Sequence, residues 1–452
     1  MRLRLALVTL SLIASIGAMA QTPAPLPKLD PATFDPYLGT YRFASGRLLV
    51  IGRTERRLYA YEPGTERVRA LDRVDDRTWI AGPSLLAFKP EEFRVRFLRN
   101  NAGAISALRY EEPGRAAMQA AKSRAYTEEQ VTFRNGDVTL AGTLFLPASK
   151  GPHPAIVVGH GSGAQDRNGF LSTIRFFADH LARHGIAVLT YDKRGTGRST
   201  GDWSRVGFTE LASDLVAGVR MLRERPEIDR TFVGVGGSSQ TGWVAAKATM
   251  QLPDIAFVCI VSAGGSGLTV EEQNLYNTEV EMRAQKFSDE QVRLALDLQR
   301  RFFDVLRRGE GADAREYDEA TRAAQKDAKL AEWLFPLSSE IDWKNRSAWY
   351  TALEVLFDPL TAWRAYPGPV LGVFGELDAQ TPVAQVVPRL TEALMSRKNT
   401  DFTITVFPKA SHLLMEATMP SDAELENLQR FVPGAYDFIS DWLWGRVKRN
   451  HR

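Results

Sequence analysis

Ser239, Asp378 and His412 stand in that order in the second half of this chain, in the segments VGVGGSSQTGW, VLGVFGELDAQTP and FPKASH. A serine hydroxyl is a weak nucleophile. It needs a base within hydrogen-bond reach, and the base needs a partner that holds its imidazole in one tautomer. Serine, histidine and a carboxylate supply those parts, and the chemistry they perform together is acyl transfer through an ester on the serine. A serine exposed on a sharp strand-to-helix turn requires small residues two before and two after it. Ser239 has Gly237 and Thr241 there; Ser238 would have Gly236 and Gln240, and the long glutamine fits poorly. Ser239 is therefore the expected nucleophile, in a G-x-S-x-T setting where a second glycine is usual. His412 follows by elimination among six histidines: His153, His160, His180 and His184 precede the serine, and His451 lies in a basic tail. For the acid, Glu376 and Asp378 both follow the apolar run VLGVFG.

Such side chains need rigid elements behind them. VTFRNGDVTLAGTLFLP, from residue 131, reads as a hairpin turning at Asn135-Gly136. Continuous apolar runs follow at 155–160, 186–192, 232–237, 255–263, 370–375 and 402–407, with amphipathic stretches such as FLSTIRFFADHLARHG and FTELASDLVAGVRMLRER between them. Strand runs without alternation, separated by helices, predict an α/β fold with a doubly wound, mostly parallel sheet covered on both faces. Each of the three candidate residues follows one of these runs. Residues 268–362 break the rhythm: Ser288 and Gln291 form a capping-box pattern before VRLALDLQRRFFDVL, and Trp333, Trp343 and Trp349 fall in this stretch. The stretch exceeds any normal crossover. It is expected to be an inserted helical cap over the sheet's C-terminal edge, where ligands of open α/β sheets bind. Its aromatics are expected to form the cap's own core more than a substrate wall. The α/β core then occupies 127–267 and 363–450.

Ahead of this core, residues 30–115 predict a small antiparallel β domain, a curled sheet or partial barrel. YLGTYRF, GRLLVIGR, RRLYAYEP, RVRALDRV, RTWIAG, FRVRFLRN and ISALRYEE alternate apolar and polar residues between turn signals. AAMQAAKSRAY (116–126) reads as a linker or short helix. Residues 1–20 carry Arg2 and Arg4, the apolar run LALVTLSLIASIGA and Ala18-Met19-Ala20, the pattern of a signal peptide cleaved before Gln21. The expectation is an exported protein, periplasmic or secreted, without stable membrane insertion after cleavage; the alternative is a retained N-terminal anchor. The sole cysteine, Cys259, lies in IAFVCIVSA and is expected to be a small core hydrophobe.

The 452 residues are 44% hydrophobic and 25% charged, as in a soluble globular protein, and two or three domains are expected from the length. The formal charge of +3 comes without a basic stripe, so nucleic acid is not an expected partner. No HExxH or CxxC pattern is present and the histidines lack ligand spacing, so no metal is expected. GGSGL at 264–268 does not open a helix after a first strand, and no Walker lysine is present, so no cofactor is expected either.

HGSGAQDRNG, YDKRGTGRS, the Ser239 turn, GELDAQTP and ASH together resemble the α/β-hydrolase superfamily, in a form similar to secreted bacterial serine esterases. The resemblance covers about residues 127–450 and leaves the N-terminal module outside. The chain order nucleophile, acid, base is that of this superfamily. Its G-x-x-D-x-x-x-P pattern matches Gly375, Asp378 and Pro382, which selects Asp378 over Glu376. The loop after the first core strand implies an oxyanion hole from a backbone N–H of Ser162 or Gly163, joined by that of Gln240. Asp192 and Arg194 are implied as fold-stabilising, and Asp166 with Arg167 as a local pair shaping the oxyanion loop or a surface ion pair. The implied activity is hydrolysis of a small-molecule carboxylic ester through an acyl-enzyme. Peptidase, acyltransferase or thioesterase activity on the same triad, or a non-catalytic binding protein of this fold, are the alternatives.

Overall fold

The computed structural model describes residues 29–450 apart from Phe88, Arg124, Asp342 and 344–355. The expected signal peptide and Trp349 lie outside the described residues. After the short helix α1 (Pro31–Phe34), strands β1 (Gly39–Phe43), β2 (Leu48–Arg53), β3 (Leu58–Glu62), β4 (Arg67–Arg73), β5 (Thr78–Ala81), β6 (Phe93–Arg99), β7 (Ile105–Glu111) and β8 (Met118–Lys122) form a closed antiparallel barrel. Closure comes from β1 pairing with both β2 and β8, where Tyr41 faces Leu49 and Lys122. The stretch read as a linker or short helix thus supplies the eighth strand, and a sheet read as curled or partial is shut. Alternate side chains fill the barrel: Tyr41, Leu49, Ile51, Leu58, Trp79, Val95, Phe97 and Leu108 share one core. On β2, β3 and β4 the other face is buried too. Val50, Tyr59, Tyr61, Val68 and Ala70 pack with residues of the second domain, among them Phe176, Phe431 and Tyr436.

The second domain is built on one mixed sheet, in the order β16-β15-β14-β13-β11-β12-β10-β9. Its strands are β9 (Tyr126–Asn135), β10 (Val138–Pro147), β11 (His153–Val158), β12 (Ala187–Tyr191), β13 (Ile228–Ser238), β14 (Val258–Val261), β15 (Val370–Gly375) and β16 (Phe402–Phe407). β9 and β10 form the antiparallel hairpin, with Asn135 paired to Val138 and Gly136-Asp137 at its tip. From β12 through β16 all pairings are parallel. Fully buried strands such as β11 and β15 explain the unalternating apolar runs.

Helices α2 (Thr173–Arg183) and α11 (Ala435–Asn450) cover the face that meets the barrel, in one core with Phe145, Ile156, Val158 and Cys259. Helices α3 (Phe208–Arg223), α4 (Thr241–Gln251), α9 (Pro359–Ala365) and α10 (Val383–Met395) cover the other. Between β14 and β15 run α5 (Val270–Ala284), α6 (Asp289–Arg308), α7 (Arg315–Ala324) and α8 (Ala328–Ala331). The expected capping box is present: Ser288 Oγ accepts from the Gln291 N–H and Gln291 Oε1 from the Ser288 N–H. Trp333 and Phe287 pack on a small core within the insertion that includes Met282, Leu296 and Leu334, whereas Phe302, which stacks on Phe335 at 4.4 Å, and Tyr317 join the core of the sheet's own face, with Trp343 packed against it.

Candidate functional site

The chain leaves β11, goes to β12 on one side, and returns to β13 on the other. The loops after β11 and β13 therefore part at a topological switch point, the place where open α/β sheets bind ligands. The loop His160–Gly163 leaves β11 there, and Ser239 follows β13.

Ser239 has φ +56°, a left-handed conformation that costs a non-glycine residue energy and persists only where its surroundings impose it. Gly237 has φ +148°, and a Cβ on it would lie 2.8 Å from the Gly159 carbonyl oxygen, so no other residue fits. Ser238 ends β13 in register with Val261, and the turn apex belongs to Ser239. Thr241, the departure from the usual glycine, is fully buried and its hydroxyl donates to the His160 carbonyl at 2.9 Å. Gly159 makes room for it, since a Cβ there would meet Thr241 Oγ1 at 2.8 Å. The small-residue requirement has moved from the elbow to the strand beside it, and the threonine ties the elbow to the neighbouring loop. That loop passes close to the serine: a Cβ on Gly161 would lie 3.7 Å from Ser239 Cβ.

His412 Nδ1 bonds Asp378, at 2.9 Å to Oδ1 and 3.0 Å to Oδ2. Asp378 Oδ1 also accepts from the backbone N–H groups of Gln380 and Thr381, each at 2.8 Å, which fixes the carboxylate in a loop tightened by Pro382. Burial alone would depress the imidazole of His412. The charge of Asp378 and its hydrogen bond outweigh that and hold it above its ordinary value, and the charge of Asp422 adds to the rise. Gly375 is required by the approach of the histidine loop, because a Cβ on it would lie 2.4 Å from the Ala410 carbonyl oxygen. The Leu377 N–H donates to that same oxygen at 2.8 Å, joining the aspartate and histidine loops. Glu376 is exposed and accepts from the Lys409 N–H at 2.9 Å, so it does not partner His412.

The loop after β11 is clamped from several sides. Gln165 Nε2 donates to the Ser162 carbonyl at 3.0 Å. Lys193, buried at 2% exposure, donates to the carbonyls of Gly161 at 2.9 Å and Gly163 at 3.0 Å, and to Gln240 Oε1 at 2.7 Å. His160 turns away from the serine and bonds the Tyr191 carbonyl; burial pushes its imidazole down to about 3, so it stays neutral. Asp166 and Arg167 do not pair with each other. Arg167 grips Asp192 through Nε at 2.9 Å and Nη2 at 2.7 Å, while Asp166 meets Arg53 of the barrel at 3.3 Å. Arg194 forms a fork on buried Asp214, at 2.8 and 2.7 Å, a structural pair in keeping with its expected part.

Lys193, Asp422 and Arg53 escaped the sequence reading. Lys193 was hidden inside YDKRGTGRS between two residues that mark a turn. Asp422 lies in a loop beyond the histidine, where its side chain takes a 2.8 Å bond from Gln380 Nε2. No local signal connects either to the serine. On α2, at the residue that caps it and on α11, His180, His184 and Asp437 each place one possible ligand atom within 4.8 Å of the others, a grouping that sequence spacing did not suggest.

The alpha/beta hydrolase family model matches residues 156–424. The chain belongs to the alpha/beta hydrolase family. Among curated proteins it is similar to esterase EstD of Thermotoga maritima, 30% identical over 150 residues that make up 30% of this chain and 36% of that protein. It is also similar to thiohydrolase aneE of Aspergillus aculeatus, 30% identical over 28% of this chain and 38% of that protein, and to esterase FrsA of Vibrio vulnificus, 35% identical over 27% and 28%. The match thus spans well under half the length of these relatives. A solved structure of Est1E from Butyrivibrio proteoclasticus with ferulic acid bound aligns over 71% of this chain and 98% of its own, at 14% identity and a TM-score of 0.42. Among the described residues no helix is long and apolar enough to cross a membrane.

Proposed function

We propose that this protein is a serine hydrolase that cleaves carboxylic esters through an acyl-enzyme. The observation that carries the reading is the buried Asp378–His412 hydrogen bond together with the strained Ser239 turn beside the Gly161 loop. Ser239 Oγ attacks the acyl carbon while His412 Nε2 takes its proton. Asp378 holds Nδ1–H and stabilises the imidazolium that results. The tetrahedral oxyanion is met by the Gln240 N–H and by that of Ser162 or Gly163; losing one such donor costs about 3 kcal/mol of transition-state stabilisation. His412 returns the proton to the leaving alcohol, and water deacylates the serine by the same route in reverse.

In this reading the helical insertion selects the substrate, and contacts of its first helix support that role. Tyr276 on α5 donates to the Asp378 carbonyl at 3.4 Å, and Glu281 on the same helix accepts from Ser421 Oγ at 2.9 Å and from the Asp422 N–H at 2.6 Å. This helix therefore borders the loops that carry the acid and the histidine. The apolar, aromatic composition of the insertion supports a small or medium apolar ester as substrate, and the esterase names among the relatives support the bond type. The thiohydrolase relative makes thioesters the first alternative to include. Wild-type protein and Ser239→Ala should be assayed on p-nitrophenyl esters of increasing chain length and on matched thioesters. Retention of full activity by Ser239→Ala removes this mechanism. Export through residues 1–20 belongs to the same proposal, and the N-terminal sequence of protein recovered from the periplasm or medium tests it, with Gln21 as the expected first residue.

A further inference from the structure

We propose that Lys193 is a positioning residue for the oxyanion hole: one buried ammonium orients the peptide units on both sides of it and lends them its positive charge. This rests on the reading of Ser239 as nucleophile.

The geometry is specific. The three donors of the ammonium go to Gly161 O, Gly163 O and Gln240 Oε1, at 2.9, 3.0 and 2.7 Å. The peptide bonds after Gly161 and Gly163 are trans, so each carbonyl points opposite to the N–H of the next residue. Drawing Gly161 O toward Lys193 turns the Ser162 N–H to the other side. The bond to Gln240 Oε1 fixes the side chain of the residue whose own N–H is the second donor. The same nitrogen therefore sets the two halves of the hole relative to each other.

Polarisation acts in the same direction. A carbonyl that accepts a charged hydrogen bond leaves its peptide N–H a stronger donor. A cation in a dry site also stabilises a nearby anion far more than it would in water. Among the described residues, the charged groups facing the ammonium are few. Asp214 on α3 favours its charge, His160 is held neutral, and the ring of Trp203 lies 5.7 Å away. Burial pulls the Lys193 ammonium down to about 7, with Asp214 opposing. A lysine near that value loses its proton in the alkaline range of an ordinary assay, and with it one donor and the charge.

Activity should then be bounded on both sides. It rises as His412 loses its proton and falls as Lys193 loses its own, at or above about pH 7. The test uses full-length protein, p-nitrophenyl acetate, and wild type alongside Lys193→Met and Gln240→Met. The expected result for Lys193→Met is a fall in kcat of about 10²-fold with KM little changed, and an alkaline limb that disappears. Gln240→Met keeps the Gln240 N–H but removes the acceptor, and should lower kcat by a smaller factor, about tenfold. A folded Lys193→Met with kcat near wild type, or with the alkaline limb still in place, overturns the inference. If Lys193→Met does not fold, unchanged kcat in Gln240→Met overturns it instead. Labelling by a fluorophosphonate separates the two readings: wild type that takes no label at Ser239 defeats the nucleophile assignment and this inference with it, whereas normal labelling with an indifferent Lys193 defeats the inference alone.

Discussion

At the scale of single residues, the site works by holding costly states in place. A left-handed serine, a buried carboxylate and a buried imidazole are each unfavourable alone, and each is met by a specific partner. In the proposed mechanism Asp378→Asn leaves the shape nearly intact but lets His412 adopt the wrong tautomer. It should lower kcat by roughly 10⁴-fold, with circular dichroism unchanged. The pH profile carries a second prediction. Because Asp378 and Asp422 hold the His412 imidazole above its ordinary value, the acid limb should lie above about pH 6.5. Asp422→Asn removes one negative charge, so the proton leaves more readily and the limb should move to lower pH. A pH series of kcat/KM checks the sign; a shift upward refutes the role given to Asp422. These residue-scale features were partly legible beforehand. Ser239, Asp378 and His412 could be named because short-range chemistry surrounds each of them. Lys193 and Asp422 could not, since the partners of Lys193 lie 30, 32 and 47 residues away in sequence and Gln380 lies 42 residues from Asp422.

At the scale of elements, close backbone approaches decide which residues can stand where. Gly375 was noticed as part of a pattern, but its physical reason is the Ala410 carbonyl oxygen that would sit 2.4 Å from an added Cβ. Gly375→Ala should therefore overpack the joint between the aspartate and histidine loops, destabilising by about 1–3 kcal/mol in urea melts and lowering kcat by displacing His412. Thr241→Gly should cost about 1 kcal/mol for its lost bond to the His160 carbonyl. The core strands were legible because burial on both faces leaves apolar runs that need no long-range information. The eighth barrel strand was not. MQAAK has helix-forming residues and buries only Ala120, so pairing with β1 and β7 overrides its local preference. Barrel closure is likewise a long-range fact, joining Tyr41 to Lys122.

At the scale of the whole molecule, the barrel is fastened to the hydrolase sheet. Tyr61 packs on Phe176, Phe431 and Tyr436, with ring centroids 5.1, 5.4 and 6.3 Å away. The backbone of Val68 and Leu85 donates to the carbonyls of Gln429 and Leu428, each at 2.8 Å. Arg53 carries the contact to Asp166, on the segment that follows the His160–Gly163 loop. The barrel thus packs on the face of the sheet covered by α2 and α11, with which its outer face shares one core. Tyr61→Ala should cost roughly 3–5 kcal/mol, and barrel and sheet should melt together in a single calorimetric transition. Two separated transitions in the wild type would show that the shared core does not couple them. The sequence marked the β module's presence through its alternation. It did not show the docking, because a run such as LLVIGR marks burial on both faces without naming the element that covers the second one.

The central claim is that Ser239 is the activated nucleophile, and covalent labelling reads it most directly. Full-length protein treated with a fluorophosphonate and mapped by peptide mass spectrometry should carry one adduct on Ser239, at a rate that falls with Asp378→Asn and to nothing with Ser239→Ala. An unlabelled wild type, or an adduct on another residue that persists in Ser239→Ala, would contradict the account.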